Sequence, residues 1–117
     1  MNYRLSFMLP NIRKPYSDLL AELKSGLELI YGKCLKQLFV YGSYARGEED
    51  EESDLDILVV LGDFERYVQE VDRTGPLTSD LLLKYGISIC TVFVRESEWL
   101  RDETPFLVNI RDEAIRV

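Results

Sequence analysis

Histidine is absent from all 117 residues. That removes imidazole acid–base catalysis and imidazole metal ligation together. Cysteine occurs only at Cys34 and Cys90, without the close spacing of a structural metal site. Two buried, reduced thiols are expected rather than a disulfide. Basic residues are outnumbered, 14 against 21 acids, for a formal charge of −7. Extensive binding to nucleic-acid backbone needs a basic face and is therefore not expected, although a local basic pocket for phosphate is compatible with this balance. No apolar run approaches the ~20 residues that span a bilayer, and no stretch reads as a signal peptide, so no membrane partner is expected and the cytoplasm is the expected compartment. No internal repeat or low-complexity linker divides the chain. Its length predicts one domain, and a hydrophobic content of 46% supplies a core.

What is there centres on Val40 to Val60. An apolar run, Leu38-Phe39-Val40-Tyr41, leads into Gly42-Ser43. A glycine at such a turn lets the backbone approach a ligand closely, and free N–H groups there suit a phosphate. Eleven residues after Ser43, Asp54 and Asp56 stand two apart at the start of a second apolar run. In a strand these two carboxylates project together, while Leu55 and Ile57 face the core. Adjacent carboxylates repel each other unless a cation lies between them, and Mg²⁺ is commonly held by one or two carboxylates plus substrate phosphates. A cradle beside a carboxylate pair is thus a metal–nucleotide pattern, weighed against a purely structural role for two polar residues opening a strand. Arg46 has two readings, phosphate contact or turn stabilisation on one hand and a salt bridge to neighbouring acids on the other. The five consecutive acids Glu48 to Glu52 read as a solvated loop; they lack the alternating spacing and central glycine of a calcium loop.

Periodicity gives the remaining elements. Residues 1–14 are an uncertain arm with a hint of strand over Tyr3, Leu5, Phe7 and Leu9; residues 15–117 form the domain. A helix is predicted over Pro15–Tyr31, with Leu19, Leu20, Leu23, Leu27, Ile30 and Tyr31 on its apolar stripe and Gly26 a weak point inside. Strands are predicted over Leu35–Tyr41, Asp54–Leu61 and Ile87–Val94. Phe64–Arg73 and Leu77–Tyr85 read as two helices broken at Thr74-Gly75-Pro76. Ser97 is placed to cap a short helix, Pro105–Glu113 reads as a last helix, and Ile115–Val117 is a short apolar tail. The fold class is α/β, a small mixed sheet of three to five strands with helices packed mainly on one face.

The pattern Gly-Ser-x-Ala-Arg-Gly at Gly42–Gly47, followed by Ser-Asp-x-Asp at Ser53–Asp56, resembles the signature of the nucleotidyltransferase superfamily. The likeness is strongest to the minimal nucleotidyltransferases, small proteins often paired with a HEPN-domain partner. The resemblance implies a nucleotidyltransferase-type fold and transfer of AMP, or another NMP, from ATP or another NTP to a hydroxyl acceptor. It implies that Gly42 and Ser43 hold the β- and γ-phosphates, that Arg46 belongs to the nucleotide-binding motif, and that catalytic Asp54 and Asp56 bind Mg²⁺. It implies a tyrosine of a HEPN-type toxin as acceptor, which would make the chain an antitoxin. The family's third carboxylate, on the strand after Asp-x-Asp, is missing; Ser88 is the expected place for it. Glu96, an acid of the Glu48–Glu52 loop, or a partner are the substitutes considered. The alternative is a binding module that neutralises or scaffolds a helical HEPN-type partner without catalysis. Homo- and hetero-oligomers both remain open.

Overall fold

The computed structural model describes residues 10–117, with side chains from Tyr16 onward. The tentative strand over Tyr3 to Leu9 lies outside the described residues. Helix α1 spans Pro10–Tyr31 and begins five residues earlier than predicted, so Pro10 rather than Pro15 opens it. A 3₁₀ turn, Gly32–Cys34, leads to β1, Leu35–Tyr41. A short helix α2, Ser43–Arg46, follows, and then β2, Leu55–Leu61. The chain continues through α3, Tyr67–Tyr85, and β3, Ile89–Arg95. It finishes with α4, Glu96–Arg101, α5, Pro105–Glu113, and β4, Ile115–Arg116.

The four strands form one mixed sheet in the order β3-β2-β1-β4. β1 is antiparallel to both β2 and β4, whereas β2 and β3 run parallel. A parallel pair needs a crossover, and α3 supplies it. Alternation along β2 divides the core. Leu55, Ile57, Val59 and Leu61 join Leu19, Leu23 and Leu27 of α1 and Leu81 of α3. Leu58 and Val60 face the other way, toward Trp99 of α4 and Leu107 and Ile110 of α5. The long helices thus cover one face and two short ones the other. All seven residues of β2 except Asp56 are fully buried, as a central strand should be.

Two helical segments differ from expectation for identifiable reasons. α3 is a single helix that runs through Gly75-Pro76. Proline withholds an N–H from the ladder there, yet the buried face is continuous across it. The Thr74 hydroxyl donates to the Glu70 carbonyl at 2.9 Å and the Thr78 hydroxyl to the Gly75 carbonyl at 3.1 Å. Thr74 and Leu81 are both buried, Leu81 in the cluster with α1. Gly26, a weak point by propensity, lies against α3 with no room for a side chain: a Cβ there would stand 2.6 Å from Leu77 Cδ1. The capping position before α4 falls to Arg95, not Ser97, with the Arg95 amide donating to Glu98 Oε1 at 2.9 Å. Among the described residues no helix is long and apolar enough to cross a membrane.

Candidate active site

The residues singled out in the sequence meet at one end of the sheet, where β1 ends and β2 and β3 begin. Gly42 leaves β1 with φ 75° and ψ −152°, a conformation open in practice to glycine alone. The same position has no room for a side chain: an added Cβ would lie 2.3 Å from Asp56 Oδ2. The turn then closes on itself, the Arg46 amide donating to the Gly42 carbonyl at 3.1 Å and the Glu48 amide to the Ser43 carbonyl at 2.9 Å. Tyr44 and Ala45 are buried, and the Tyr44 ring lies 5.1 Å from that of Tyr16. Hydrophobic anchoring to α1 therefore fixes the turn that presents Gly42 and Ser43.

Asp56 pairs with Tyr41 on one side and Cys90 on the other, which makes a row Tyr41–Asp56–Cys90 across three strands. Leu55 and Ile57 are fully buried on the opposite face, as alternation predicts. Asp54 is exposed just ahead of β2, and Asp56 is half-buried. Burial first, and then the charge of Asp54, raise the Asp56 carboxyl above the usual carboxylate range; Glu113 adds to the rise and Arg46 opposes it. Tyr41 is also raised, by burial and then by the negative charge of Asp56. The Cys90 thiol is raised by partial desolvation and by Asp56 and Asp54, which keeps it protonated near neutrality.

Three expectations are adjusted, while the acidic run is the largely exposed turn expected of it. Cys90 is exposed rather than buried, because the end of the sheet that carries it is open; Cys34 is half-buried, and both are free thiols. The strand β3 begins at Ile89, so Cys90 rather than Ser88 stands in register with Asp56. Ser88 precedes the strand, and its carbonyl accepts from the Leu55 amide at 2.8 Å. Glu96 cannot replace a third acid, since it follows Arg95, which pairs with Leu61 at the far end of β2. The acidic run forms a turn, with the Glu52 amide and the Ser53 hydroxyl both donating to Asp50 Oδ1.

The residue that sequence reasoning missed is Glu113. Its Oε2 accepts from the Gly42 amide at 2.5 Å, and both of its oxygens accept from Arg46 Nη1, at 3.1 and 3.2 Å. Arg46 also donates through Nε to Glu48 Oε1 at 2.8 Å. Arg46 thus makes the salt bridges to acids that one of its two readings expects. No local signal could have assigned Glu113, because it reaches the site through tertiary packing. Leu107 and Ile110 bury α5 against the sheet, Phe106 meets Tyr41 edge-on at 6.1 Å, and Arg111 donates to the Trp99 carbonyl. β4 then pairs Ile115 with Val40, two residues before Gly42.

Chemically, the arrangement offers one backbone donor, one guanidinium and two hard carboxylates on a shared face. A carboxylate held above its usual range by burial and by a neighbouring carboxylate, as Asp56 is beside Asp54, belongs to a donor pair suited to a divalent cation. Among the described residues no three acid or thiol groups converge on one point.

The family model for the nucleotidyltransferase domain matches residues 20–116. A Methanocaldococcus jannaschii protein provisionally named a protein adenylyltransferase is 40% identical over 75 residues, covering 64% of this chain and 69% of its own. The fold is similar to the crystal structure of a toxin–antitoxin with AMP-PNP, with TM-score 0.57, 17% identity and coverage of 80% of this chain and 68% of that one. It is also similar to a crystal structure of a mutant of the toxin–antitoxin MntA-HpeT, with TM-score 0.54, 17% identity and coverage of 87% and 70%. A motif held on matching strands, a family model spanning nearly the whole domain and a close archaeal relative converge: the chain belongs to the nucleotidyltransferase domain family.

Proposed function

We propose that the chain transfers AMP from ATP to a tyrosine hydroxyl of a HEPN-type toxin partner, and so acts as the antitoxin of a toxin–antitoxin pair. The observation that carries the proposal is the close approach of Gly42 to Asp56: a Cβ on Gly42 would stand 2.3 Å from Asp56 Oδ2, so only glycine lets the turn lie against that carboxylate. The name of the archaeal relative supports adenylyl transfer, and the toxin–antitoxin neighbours support the partner class. In this reading the Gly42 amide and Ser43 receive the β- and γ-phosphates, and Arg46 adds positive charge to the same group. Asp54 and Asp56 would hold Mg²⁺, whose chemistry when bound is to neutralise the triphosphate and align its α-phosphorus. The acceptor oxygen bonds to the α-phosphorus, the bond from that phosphorus to the bridging oxygen breaks, pyrophosphate leaves, and the hydroxyl proton passes to water. The partner supplies the acceptor side of the site, and the net charge of −7 suits a basic partner surface.

One observation favours a second reading. β3 carries no acid, and the position beside Asp56 holds a protonated thiol. A module with that site could neutralise the partner by binding alone. Intact mass of the co-expressed partner after incubation with ATP and Mg²⁺ separates the two. A gain of AMP units with wild type, absent with Asp54→Asn, establishes transfer; a stable complex without any gain establishes the binding module.

A further inference from the structure

We propose that Glu113 is a gate on the phosphate site: its carboxylate occupies the donors that a polyphosphate needs, and the ligand must displace it to bind. The inference rests on reading Gly42 and Arg46 as phosphate donors. Both already converge on a single anionic group, the Gly42 amide at 2.5 Å and Arg46 Nη1 at 3.1 and 3.2 Å. A carboxylate placed this way makes the contacts that two phosphate oxygens would make. Gly42 is buried, so its amide has little access to water as an alternative acceptor when the site is empty.

Glu113 is placed to leave. It is the last residue of α5, and its side chain is 28% exposed. Rotation about its own side-chain bonds carries the carboxylate into solvent, while Ile115 stays paired with Val40. Opening therefore needs no rearrangement of the sheet. Charge drives the exchange in both directions. With the polyphosphate absent, Glu113 and Glu48 both pair with Arg46, Glu48 through Nε; with it present, the Gly42 amide and Arg46 Nη1 cannot serve Glu113 and a phosphate oxygen at once. The gate lowers affinity for any short phosphate chain, so a bound ligand has to bring enough charge to win the exchange.

The test uses magnesium tripolyphosphate and ATP as probes, with the whole chain as wild type, Glu113→Gln and Glu113→Ala. Removal of one competing charge-assisted contact is expected to tighten tripolyphosphate about tenfold in both variants. The Gly42 amide proton resonance should shift in Glu113→Gln before any ligand is added, and shift again on titration. Unchanged or weaker tripolyphosphate binding in the folded variants would overturn the gate and leave Glu113 as a residue that positions Arg46. A tenfold gain for tripolyphosphate with no binding of ATP would keep the gate and reject the nucleotide reading. Absence of tripolyphosphate binding in all three folded proteins would reject the gate as well.

Discussion

The Gly42 amide and the Glu113 carboxylate, 71 positions apart in the chain, meet at 2.5 Å. Their contact joins the turn after β1 to the end of α5. It puts an acid at the site without any acid on β3, the strand where the resemblance to minimal nucleotidyltransferases places one.

Gly42→Ala should be the most damaging small change at the site. The added methyl group would stand 2.3 Å from Asp56 Oδ2, in a backbone conformation that costs a side-chain residue about 1–3 kcal/mol. Loss of nucleotide binding together with a lowered Tm is the expected outcome. A variant with wild-type Tm and wild-type binding would show that the turn relaxes at no cost.

Asp56→Asn should uncouple stability from function. The folded Asp56 carboxyl is raised by burial and by Asp54, so its ionised form is disfavoured in the fold. The sign follows directly: an acid raised on folding weakens the fold above its folded pKa, and the penalty disappears as pH falls through that value. Removing the charge should raise Tm by about 1–3 °C at neutral pH while abolishing transfer. Thermal melts at neutral and acidic pH check this, and the gain should shrink at the acidic end.

Cys90→Asp places a carboxylate in register with Asp56. If the site is catalytic, transfer to the partner should accelerate by about tenfold or more, since general-base and metal-ligand roles carry effects of that size. Rates from intact mass at fixed ATP are the readout. No acceleration, with the variant folded and Mg²⁺ affinity unchanged, would count against a missing third acid as the limit on rate.

Gly75→Ala should change stability by less than about 1 kcal/mol: apart from its chain neighbours and the backbone of its own helix nothing lies within 4 Å of the added methyl group, and the gain in helix propensity is opposed by the restriction that Pro76 places on the residue before it. Urea unfolding measures it. A larger loss of stability would mean that Gly75-Pro76 needs a backbone freedom that the helix geometry does not reveal.

Tyr31→Phe should cost about 1–3 kcal/mol, the penalty for leaving a buried polar atom short of a partner. The Tyr31 hydroxyl donates to Glu70 Oε1 at 2.7 Å, and Glu70 is only 4% exposed. Arg73 remains at 3.2 Å, so the carboxylate keeps one partner. Adding Glu70→Gln to Tyr31→Phe should recover part of the loss in urea titrations.

Much of this fold is legible locally. The stripe of Leu19, Leu23 and Leu27 gives α1, and the apolar run from Leu55 to Leu61 gives a strand covered on both faces. The carboxylate pair and the Gly42 turn follow from the two-residue period of a strand and from the conformational freedom of glycine. The rest depends on partners distant in sequence. Gly75-Pro76 signals a break, yet α3 runs through it, with Leu77 packed against Gly26 of α1. Cys90 gains its place beside Asp56 only from the register of β2 with β3. Glu113 carries no motif at all; its role comes from how α5 packs, which no window of sequence contains.

The hook formed by β4 also has a kinetic meaning. Phe39 pairs with Arg116 and Val40 with Ile115, so the last strand closes onto the first. Contacts of such long sequence separation are slow to form, because the intervening chain must be ordered before they give any return. On that principle the junction of Gly42, Arg46 and Glu113 is expected to assemble after the more local β1–β2 pairing that holds Asp56. If Glu113 gates the site as proposed, a partly unfolded chain that keeps the hairpin would hold Asp56 in place without the acid that restrains the phosphate donors.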